Sequence, residues 1–248
     1  MNKWIRIYHP KPLAKFRLLC IPHAGGSASS YQKLSKLIGE NIEVLSIQLP
    51  GREDRFKEEN IEVMSILVSC IYKSIEPYLD KPFAIFGHSM GAYIGYELTK
   101  LLFRFNKMSP LMLYISAASS PNTPKIKKLH HLSDELLLKE LKIYNRTPDF
   151  LLHDEKGISY FLSYIRSDFK IVDDYSCYDY KSINCPISVF VGNSDLIVCN
   201  YNNWTNYTHK DTYVFPFNGD HFYLQEEENL NMIIKIIKRQ LLQNYEHI

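Results

Sequence analysis

Short apolar segments alternate with amphipathic segments along most of the chain. The apolar segments are brief and uninterrupted, which is typical of strands buried on both faces of a sheet. These strands are predicted at 16–21, 42–48, 83–86, 111–117, 186–191 and 212–216. Helices with one apolar face are predicted at 31–38, at 60–78 with Asn60 as the cap, at 92–105 and at 227–244. This alternation predicts an α/β fold with a mostly parallel central sheet flanked by helices.

The alternation is interrupted at 119–184. This segment is first rich in lysine and is then predicted to be helical at 133–143, where Ser133 can cap the helix. Its aromatic residues are Phe150, Tyr160, Phe161, Tyr164, Phe169, Tyr175, Tyr178 and Tyr180. We interpret the segment as a helical lid insertion within a single domain that spans 1–248. It is expected to cover the C-terminal edge of the sheet, where open α/β sheets place their ligand sites.

The sequence GHSMG at 87–91 carries the clearest chemical signal. It follows one predicted strand and opens the next predicted helix, which is the setting of a nucleophile elbow. Such a turn strains the backbone of the serine, and small residues on either side allow neighbouring elements to approach. We therefore predict that Ser89 is a nucleophile.

A serine hydroxyl is a weak nucleophile until a base accepts its proton, and after this kind of elbow an acid and then a histidine follow along the chain. His221, after the last predicted strand, fits the base, and Asp195, after the preceding strand, fits the acid that orients it. Asp220 is interpreted as a turn residue because its side chain diverges from that of its neighbour His221. The positions of the other histidines do not fit the base. His23 and His88 come before or within the elbow, and His130, His131 and His153 lie in the insertion. His209 lies at the wrong end of the sheet, and His247 lies in the tail.

When a serine attacks a carbonyl group, the carbonyl oxygen becomes negatively charged, and this oxyanion would need two backbone N–H donors. One is expected from Met90, the residue after the nucleophile. The other is expected from the loop at 22–27, where small residues let the backbone approach a carbonyl oxygen. Ala24 is the first choice for that donor and Gly25 the second; the alternative interpretation of the loop is an ordinary tight turn.

Six motifs together resemble the type II, stand-alone thioesterases that serve nonribosomal peptide and polyketide synthetases. They are PHAGG at 22–26, LPGRE at 49–53, GHSMG at 87–91, RSDF at 166–169, GNSD at 192–195 and GDHF at 219–222. The resemblance extends over 18–224 in one order, and the first, second and last motifs are more specific than the elbow alone. Two details differ from the usual pattern: Ser167 replaces a small apolar residue, and Asn193-Ser194 replaces a more acidic stretch.

The resemblance implies an α/β-hydrolase fold with a mobile lid. It implies that Ser89, Asp195 and His221 form a catalytic triad and that the Met90 and Ala24 amides form the oxyanion hole. Gly25 and His88 are expected to contact the substrate. The implied reaction is hydrolysis of acyl or aminoacyl groups from the phosphopantetheine thiol of carrier proteins, which clears stalled or mis-primed synthetase modules without a cofactor or a metal of the enzyme's own.

Other interpretations remain open at this point. The same triad would serve a general carboxylesterase or lipase, or a thioesterase that releases fatty acids, and a non-catalytic binding module is a further alternative. The aromatic residues Tyr160, Phe161 and Tyr164 predict either core packing or an apolar acyl channel. The lysines at 125, 127 and 128 predict a solvated face or a contact with an acidic carrier protein. Arg52 and Arg55 are expected to fix the LPGRE loop; the alternative is that they touch the partner protein.

Composition narrows the class of protein. The chain has 248 residues, and 29 Lys and Arg nearly balance 27 Asp and Glu, so charge gives no reason to expect nucleic acid or an anionic membrane as partner. The 5 cysteines have no zinc-like spacing, and Cys20 and Cys70 lie in apolar runs, which predicts that both are buried. No stretch reaches the roughly 18 to 20 apolar residues of a membrane span. We expect a cytoplasmic protein and, by default, a monomer.

Overall fold

The computed structural model describes residues 2–125, 127–143, 155–180 and 182–246, and these contain one seven-stranded sheet. Its strands are β1 (Ile5–Arg6), β2 (Phe16–Ile21), β3 (Ile42–Ile47), β4 (Phe83–His88), β5 (Leu113–Ser116), β6 (Ile187–Gly192) and β7 (Thr212–Phe217). Their order across the sheet is β1-β3-β2-β4-β5-β6-β7. Only the pairing of β1 with β3 is antiparallel in this sheet. The predicted mostly parallel sheet is therefore confirmed, with all six predicted strands present and β1 added.

Helices cover both faces of the sheet. Those of the described chain are α1 (Gln32–Leu37), α2 (Met64–Ile75), α3 (Met90–Asn106), α4 (Asp134–Ile143), α5 (Glu155–Asp174) and α6 (Glu227–Tyr245). The predicted cap of α4 is confirmed, because Ser133 accepts hydrogen bonds through its backbone carbonyl from Leu137 N and through its side chain from Leu136 N. None of these helices has the length and hydropathy needed to cross a membrane.

The predicted start of α2 at Asn60 is wrong. The helix begins at Met64, and Val63 occupies its N-cap position. Asn60 instead packs against Gly51, where an added Cβ would lie 1.7 Å from Asn60 Oδ1. Gly51 has a φ of 77°, a left-handed conformation that glycine adopts without strain. Asn60 therefore belongs to the loop that begins at the LPGRE motif rather than to the helix.

Two apolar cores sandwich the sheet. Successive strand side chains point to opposite faces, and both faces of β2 are buried: Leu19 and Ile21 join the core beneath α2 and α3, whereas Leu18 and Cys20 join the core beneath α1 and α6. This double burial explains why the strands are apolar at consecutive positions. Of the two cysteines predicted to be buried, Cys20 is buried and Cys70 is half-buried.

The helices α4 and α5 lie in the chain between β5 and β6, within the segment predicted as a lid. Together with the short helical turn Leu129–His131 they form a third apolar cluster, which includes Leu129, Leu137, Leu141, Phe161, Leu162, Ile165 and Phe169. Of the predicted lid aromatics and histidines, Phe150 and His153 lie outside the described residues. The division of the chain into one domain over 1–248 and an insertion at 119–184 stays a prediction.

Candidate active site

Ser89 lies in a sharp turn between the end of β4 and the start of α3. Its backbone has a φ of 54° and a ψ of −115°. This conformation is strained for any residue other than glycine. The turn is held by hydrogen bonds: Ser89 N donates to Ser116 O at 2.7 Å, and Ser89 O accepts from Ala92 N at 3.0 Å. The strand, the strained serine and the helix together form the nucleophile elbow that the sequence predicts.

The two glycines of the elbow have no space for side chains. A Cβ added to Gly87 would lie 2.1 Å from the Gly91 carbonyl oxygen, and a Cβ added to Gly91 would lie 2.1 Å from the Ile21 carbonyl oxygen. The close contact of Gly91 with Ile21 brings the start of α3 against the end of β2. The elbow and the 22–27 loop therefore meet, as a shared oxyanion site requires.

His221 and Asp195 are joined side chain to side chain. His221 Nδ1 and Asp195 Oδ2 are 2.8 Å apart, and both side chains are buried. The other carboxylate oxygen of Asp195 accepts hydrogen bonds from the backbone N–H groups of Ile197 at 2.9 Å and Val198 at 3.3 Å. Asp195 is thus fixed by its own loop and can in turn orient the imidazole of His221.

Asp195 is held in its charged form. Burial alone would raise its pKa, but the hydrogen bond and charge of His221 and the two backbone N–H groups outweigh burial and hold the pKa of Asp195 below its ordinary value. Asp220 has a different role, since its carboxylate accepts a hydrogen bond from Phe222 N at 2.8 Å and so closes a local turn. The interpretation of Asp220 as a turn residue is confirmed.

The two candidate oxyanion donors differ in their neighbours. Met90 is the first residue of α3, so its N–H has no acceptor within the helix. In the 22–27 loop, Gly25 N donates to Asp168 Oδ2 at 2.8 Å and is therefore occupied. The Ala24 amide has no hydrogen-bond partner within the described part of the chain, which makes it the better candidate of the two.

Ser89 and His221 line the same cavity, which has a volume of about 420 Å³. The polar residues beside them include His23, Ser27, Ser30 and Gln225. The lid supplies an apolar wall formed by Leu141, Phe161, Ile165 and Phe169. Of the aromatic residues predicted either to pack in a core or to line an acyl channel, Phe161 packs in the lid cluster and also lines the cavity. That this cavity takes an acyl chain stays a prediction.

His88 does not contact this cavity, which corrects the prediction that it binds substrate. The residue is 1% exposed and its Nδ1 lies 2.8 Å from Ser116 Oγ, which in turn lies 2.5 Å from the Tyr223 hydroxyl. Burial, followed by the nearby His221 and His23, lowers the pKa of His88 well below its ordinary value. His88 is therefore a neutral residue beneath the site. Gly25, by contrast, lines the cavity, and its contact with substrate stays a prediction.

The comparison with known proteins agrees with this geometry. The model of the thioesterase domain matches residues 16–241, which is most of the chain. The chain belongs to the thioesterase family. It is 36% identical over 231 residues to the gramicidin S biosynthesis protein GrsT of Aneurinibacillus migulanus, covering 92% of this chain and 90% of that protein. It is 31% identical to the thioesterase PikA5 of Streptomyces venezuelae, covering 90% and 81%.

Solved structures give the same answer. The type II thioesterase BorB from the borrelidin biosynthetic cluster is 33% identical and superimposes with a TM-score of 0.86, covering 96% of this chain and 97% of that chain. A more distant structure, the type II thioesterase YbtT from the yersiniabactin pathway, has a TM-score of 0.86 at 23% identity. The second likeness shows the fold alone. The α/β-hydrolase fold implied by the sequence motifs is therefore confirmed.

In this thioesterase a buried ion pair joins the lid to the loop beside the elbow. Arg52 of the LPGRE motif donates to both carboxylate oxygens of Asp168, at 2.6 Å and 2.8 Å, and the side chains are 4% and 3% exposed. Asp168 accepts the hydrogen bond from Gly25 N, and Arg52 also donates to Gly26 O at 3.0 Å. Arg52 thus fixes more than its own loop, because it also ties the lid helix α5 to the loop that carries Ala24.

Sequence reasoning missed the role of Asp168 in this network. Gly25 and Asp168 are 143 residues apart in the chain, and no local pattern pairs them. The available signal was the RSDF motif itself, whose acidic residue lies on a helix that is otherwise apolar on one face. Its neighbour Ser167, the departure from the usual pattern, donates to Ser163 O at 3.2 Å and contacts Glu62 Oε1 at 3.1 Å, so its hydroxyl has polar partners in a buried position.

The prediction of one solvated basic face at 125, 127 and 128 is wrong for Lys125. Its ammonium donates to the Val172 and Tyr175 carbonyl oxygens at 2.8 Å and 3.3 Å, and burial lowers its pKa. Lys127 and Lys128 are exposed, but they pair with Glu140 and Asp174. The run therefore ties the lid to itself and offers little unpaired charge to an acidic partner.

Proposed function

We propose that this chain is a serine thioesterase that releases acyl and aminoacyl groups from the phosphopantetheine arm of carrier proteins. By doing so it would clear stalled or mis-primed modules of nonribosomal peptide or polyketide synthetases. The observation that carries the proposal is the joint placement of Ser89 and the Asp195-supported His221 at an apolar cavity covered by a lid. The similarity to proteins named for gramicidin S and borrelidin biosynthesis supports the same substrate class.

The proposed reaction has two halves. His221 accepts the proton of Ser89 as its oxygen attacks the thioester carbonyl carbon, and the Met90 and Ala24 amides bind the negative oxygen. The carbon–sulfur bond then breaks, and the pantetheine sulfur takes the proton from His221. A water molecule next attacks the acyl-serine, gives a proton to His221, and the proton returns to Ser89 as the carboxylic acid leaves.

The partners proposed here are carrier protein domains, and the protein is proposed to act as a cytoplasmic monomer without a cofactor of its own. Its five cysteines are free, in keeping with a reducing compartment. The outer strand β7 contains Pro216, and proline cannot donate a backbone hydrogen bond to an added strand. That feature favours a monomer over association through this edge.

The test presents one acyl group in two forms: on a phosphopantetheinyl carrier protein and as a simple oxygen ester. We expect a much higher kcat/KM on the carrier, and loss of both activities in Ser89→Ala. Preference for the oxygen ester would favour a general carboxylesterase with the same triad. Full activity of Ser89→Ala would contradict the assignment of the nucleophile.

A second candidate function is the release of fatty acids. The observation that favours it is 31% identity over 247 residues to the medium-chain S-acyl fatty acid synthase thioesterase of Homo sapiens, covering 96% of this chain. The apolar lid wall would suit such a chain. A series of acyl lengths on one carrier protein separates the two: a sharp optimum at medium-length chains supports fatty-acid release, and comparable turnover of short acyl and aminoacyl groups supports editing.

A further inference from the structure

A smaller cavity adjoins the catalytic cavity where α1 approaches the start of α6. Its volume is about 230 Å³, and Ser30 and Gln225 line both cavities. These two side chains therefore stand at the boundary between them. We call the smaller space the side cavity, defined by Ser30, Lys33, Leu34, Gln225 and Leu230.

The lining of the side cavity combines polar, apolar and charged side chains. Ser30 and Gln225, which it shares with the catalytic cavity, supply an exposed hydroxyl and an exposed amide, and its other walls include the apolar Leu34 and Leu230. Lys33 is its only charged lining side chain within the described residues. A ligand that fits this lining has polar groups for Ser30 and Gln225, an apolar portion for the leucines and an anionic group for Lys33.

The ammonium of Lys33 is available to an anion. It lies 3.3 Å from a carboxylate oxygen of Glu227, and the two side chains are 52% and 76% exposed. Exposed pairs of this kind contribute little stability, roughly 0–1 kcal/mol. A phosphate that reaches Lys33 therefore displaces or joins Glu227 at small cost.

We propose that the side cavity binds the phosphopantetheine arm of the substrate, with the arm passing between Ser30 and Gln225 and its phosphate at Lys33. This inference rests on the proposed function and adds the path and the contacts of the arm. The amide groups of pantetheine lie beside the polar boundary, its dimethyl group lies against the apolar walls, and its phosphodiester pairs with the ammonium. The acyl chain occupies the catalytic cavity under the lid, on the other side of Ser89.

A third cavity, of about 680 Å³, also shares lining residues with the catalytic cavity and is the alternative place for the arm. Tyr160 and Tyr164 line both of these spaces, and the Tyr160 hydroxyl donates to Gly51 O at 2.6 Å across the boundary. The charged residues of the third cavity are Lys57, Glu58, Glu59, Glu62 and Arg166. Carboxylates outnumber cations there, which disfavours a phosphodiester, so the observations favour the side cavity.

The first experiment compares two thioesters of one acyl group, acyl-phosphopantetheine and acyl-pantetheine, which differ only by the phosphate. We expect the wild type to have the lower KM for the phosphorylated substrate. Lys33→Gln is expected to raise that KM about threefold to fivefold, the range of an exposed ion pair, with a much smaller effect on the KM for acyl-pantetheine. Lys36→Gln is the matched control, because Lys36 is exposed on the same helix and does not line the side cavity.

The second experiment obstructs the passage. Ser30→Trp is expected to raise the ratio of the KM for either pantetheine thioester to the KM for a small p-nitrophenyl ester by at least tenfold. The ratio is the readout because Ser30 also lines the catalytic cavity, so both KM values change, but only the thioesters have an arm to obstruct. Circular dichroism and the thermal midpoint check that the variant folds. Should Ser30→Trp misfold, Gln225→Trp tests the opposite side of the same passage.

The outcomes separate this inference from the proposed function. A wild type that hydrolyses the oxygen ester but neither thioester would contradict the proposed function. Equal KM values for the two thioesters, equal effects of Lys33→Gln and Lys36→Gln, or an unchanged KM ratio in folded Ser30→Trp would overturn the side-cavity path and leave the thioesterase standing. If Tyr160→Trp instead raised that ratio, the arm would pass through the third cavity.

Discussion

At the scale of single residues, the site depends on one strained serine and on one histidine whose burial lowers its pKa and keeps it neutral. The positive φ of Ser89 directs its side chain from the strand end into the cavity, and strain of this kind costs of order 1–3 kcal/mol. His88, next to it in the chain, is fully enclosed beneath His221 and stays neutral. A second positive ring there would oppose the charge that His221 takes on during the reaction.

The strain at Ser89 predicts a difference in stability between two variants. Ser89→Gly is expected to raise the free energy of unfolding by about 1 kcal/mol relative to Ser89→Ala, because glycine adopts a positive φ freely and alanine does not. Both variants lack the nucleophile and are expected to be inactive. Urea unfolding of the pair at one pH measures the difference, and equal midpoints would show that the elbow stores no strain.

The burial of His88 predicts a pH dependence of stability. Its pKa is lowered from 6.5 in the folded chain, so the unfolded chain binds the extra proton first as pH falls. The stability that neutral His88 provides is therefore complete above pH 6.5 and is lost progressively below it. We expect the unfolding free energy of the wild type to fall more steeply than that of His88→Gln between pH 6.5 and about pH 5, by up to about 1.4 kcal/mol per pH unit. Parallel curves for the two proteins would exclude this account.

At the scale of elements, the lid helix and the loop beside the elbow are connected by buried polar contacts. Asp168 on α5 binds Arg52 and the Gly25 amide at once, so the position of the helix and the conformation of the loop are linked. Removing one member of a buried ion pair typically costs about 3–5 kcal/mol, whereas replacing both by apolar residues of similar volume is often neutral. A single and a double replacement of this pair should therefore differ in stability, which allows an effect on catalysis to be distinguished from an effect on folding.

The prediction concerns Asp168→Ala and the double variant Arg52→Met with Asp168→Leu. The single variant is expected to lose about 3–5 kcal/mol of unfolding free energy, and the double variant is expected to recover most of it. In both variants kcat is expected to be lower than in the wild type, and KM is expected to change less. The reason is that Gly25 N has lost its acceptor and the Ala24 donor is no longer fixed. Recovery of kcat in the double variant would mean that the pair supports folding only.

The sequence predicted the strands well because runs of apolar residues mark them clearly. The strands are apolar on both faces, and their predicted and observed limits differ by at most two residues at any end. The failures have local causes: β1 has only two residues, too few for a pattern, and Asn60 resembles a cap but packs against Gly51. Of the site, the triad positions followed from strand ends and chain order. The burial of His88 and the contact of Asp168 with Gly25 depend on tertiary packing that no local pattern encodes.

At the scale of the whole molecule, three apolar clusters hold the parts of the chain that form the catalytic cavity. Two of them fix the sheet and the strand ends that carry Ser89, Asp195 and His221, and the third belongs to the lid. The lid cluster has residues of two kinds: Phe161 packs in it and faces the cavity, whereas Leu137 packs in it and does not line the cavity. This division allows the size of the cavity and the stability of the lid to be varied independently.

Phe161→Leu is expected to enlarge the acyl end of the cavity and to raise kcat/KM for a longer acyl chain relative to a shorter one by about tenfold, since a methylene in an apolar pocket discriminates on that order. Leu137→Val is the control, because it removes a buried methylene from the same cluster away from the cavity and is expected to lower stability without changing the length preference. The measurement is kcat/KM over a series of acyl chains on one carrier protein, with urea unfolding of both variants alongside. If the two variants shifted the preference equally, lid stability rather than cavity size would set the chain length, and the apolar wall would select its substrate by how readily the lid opens.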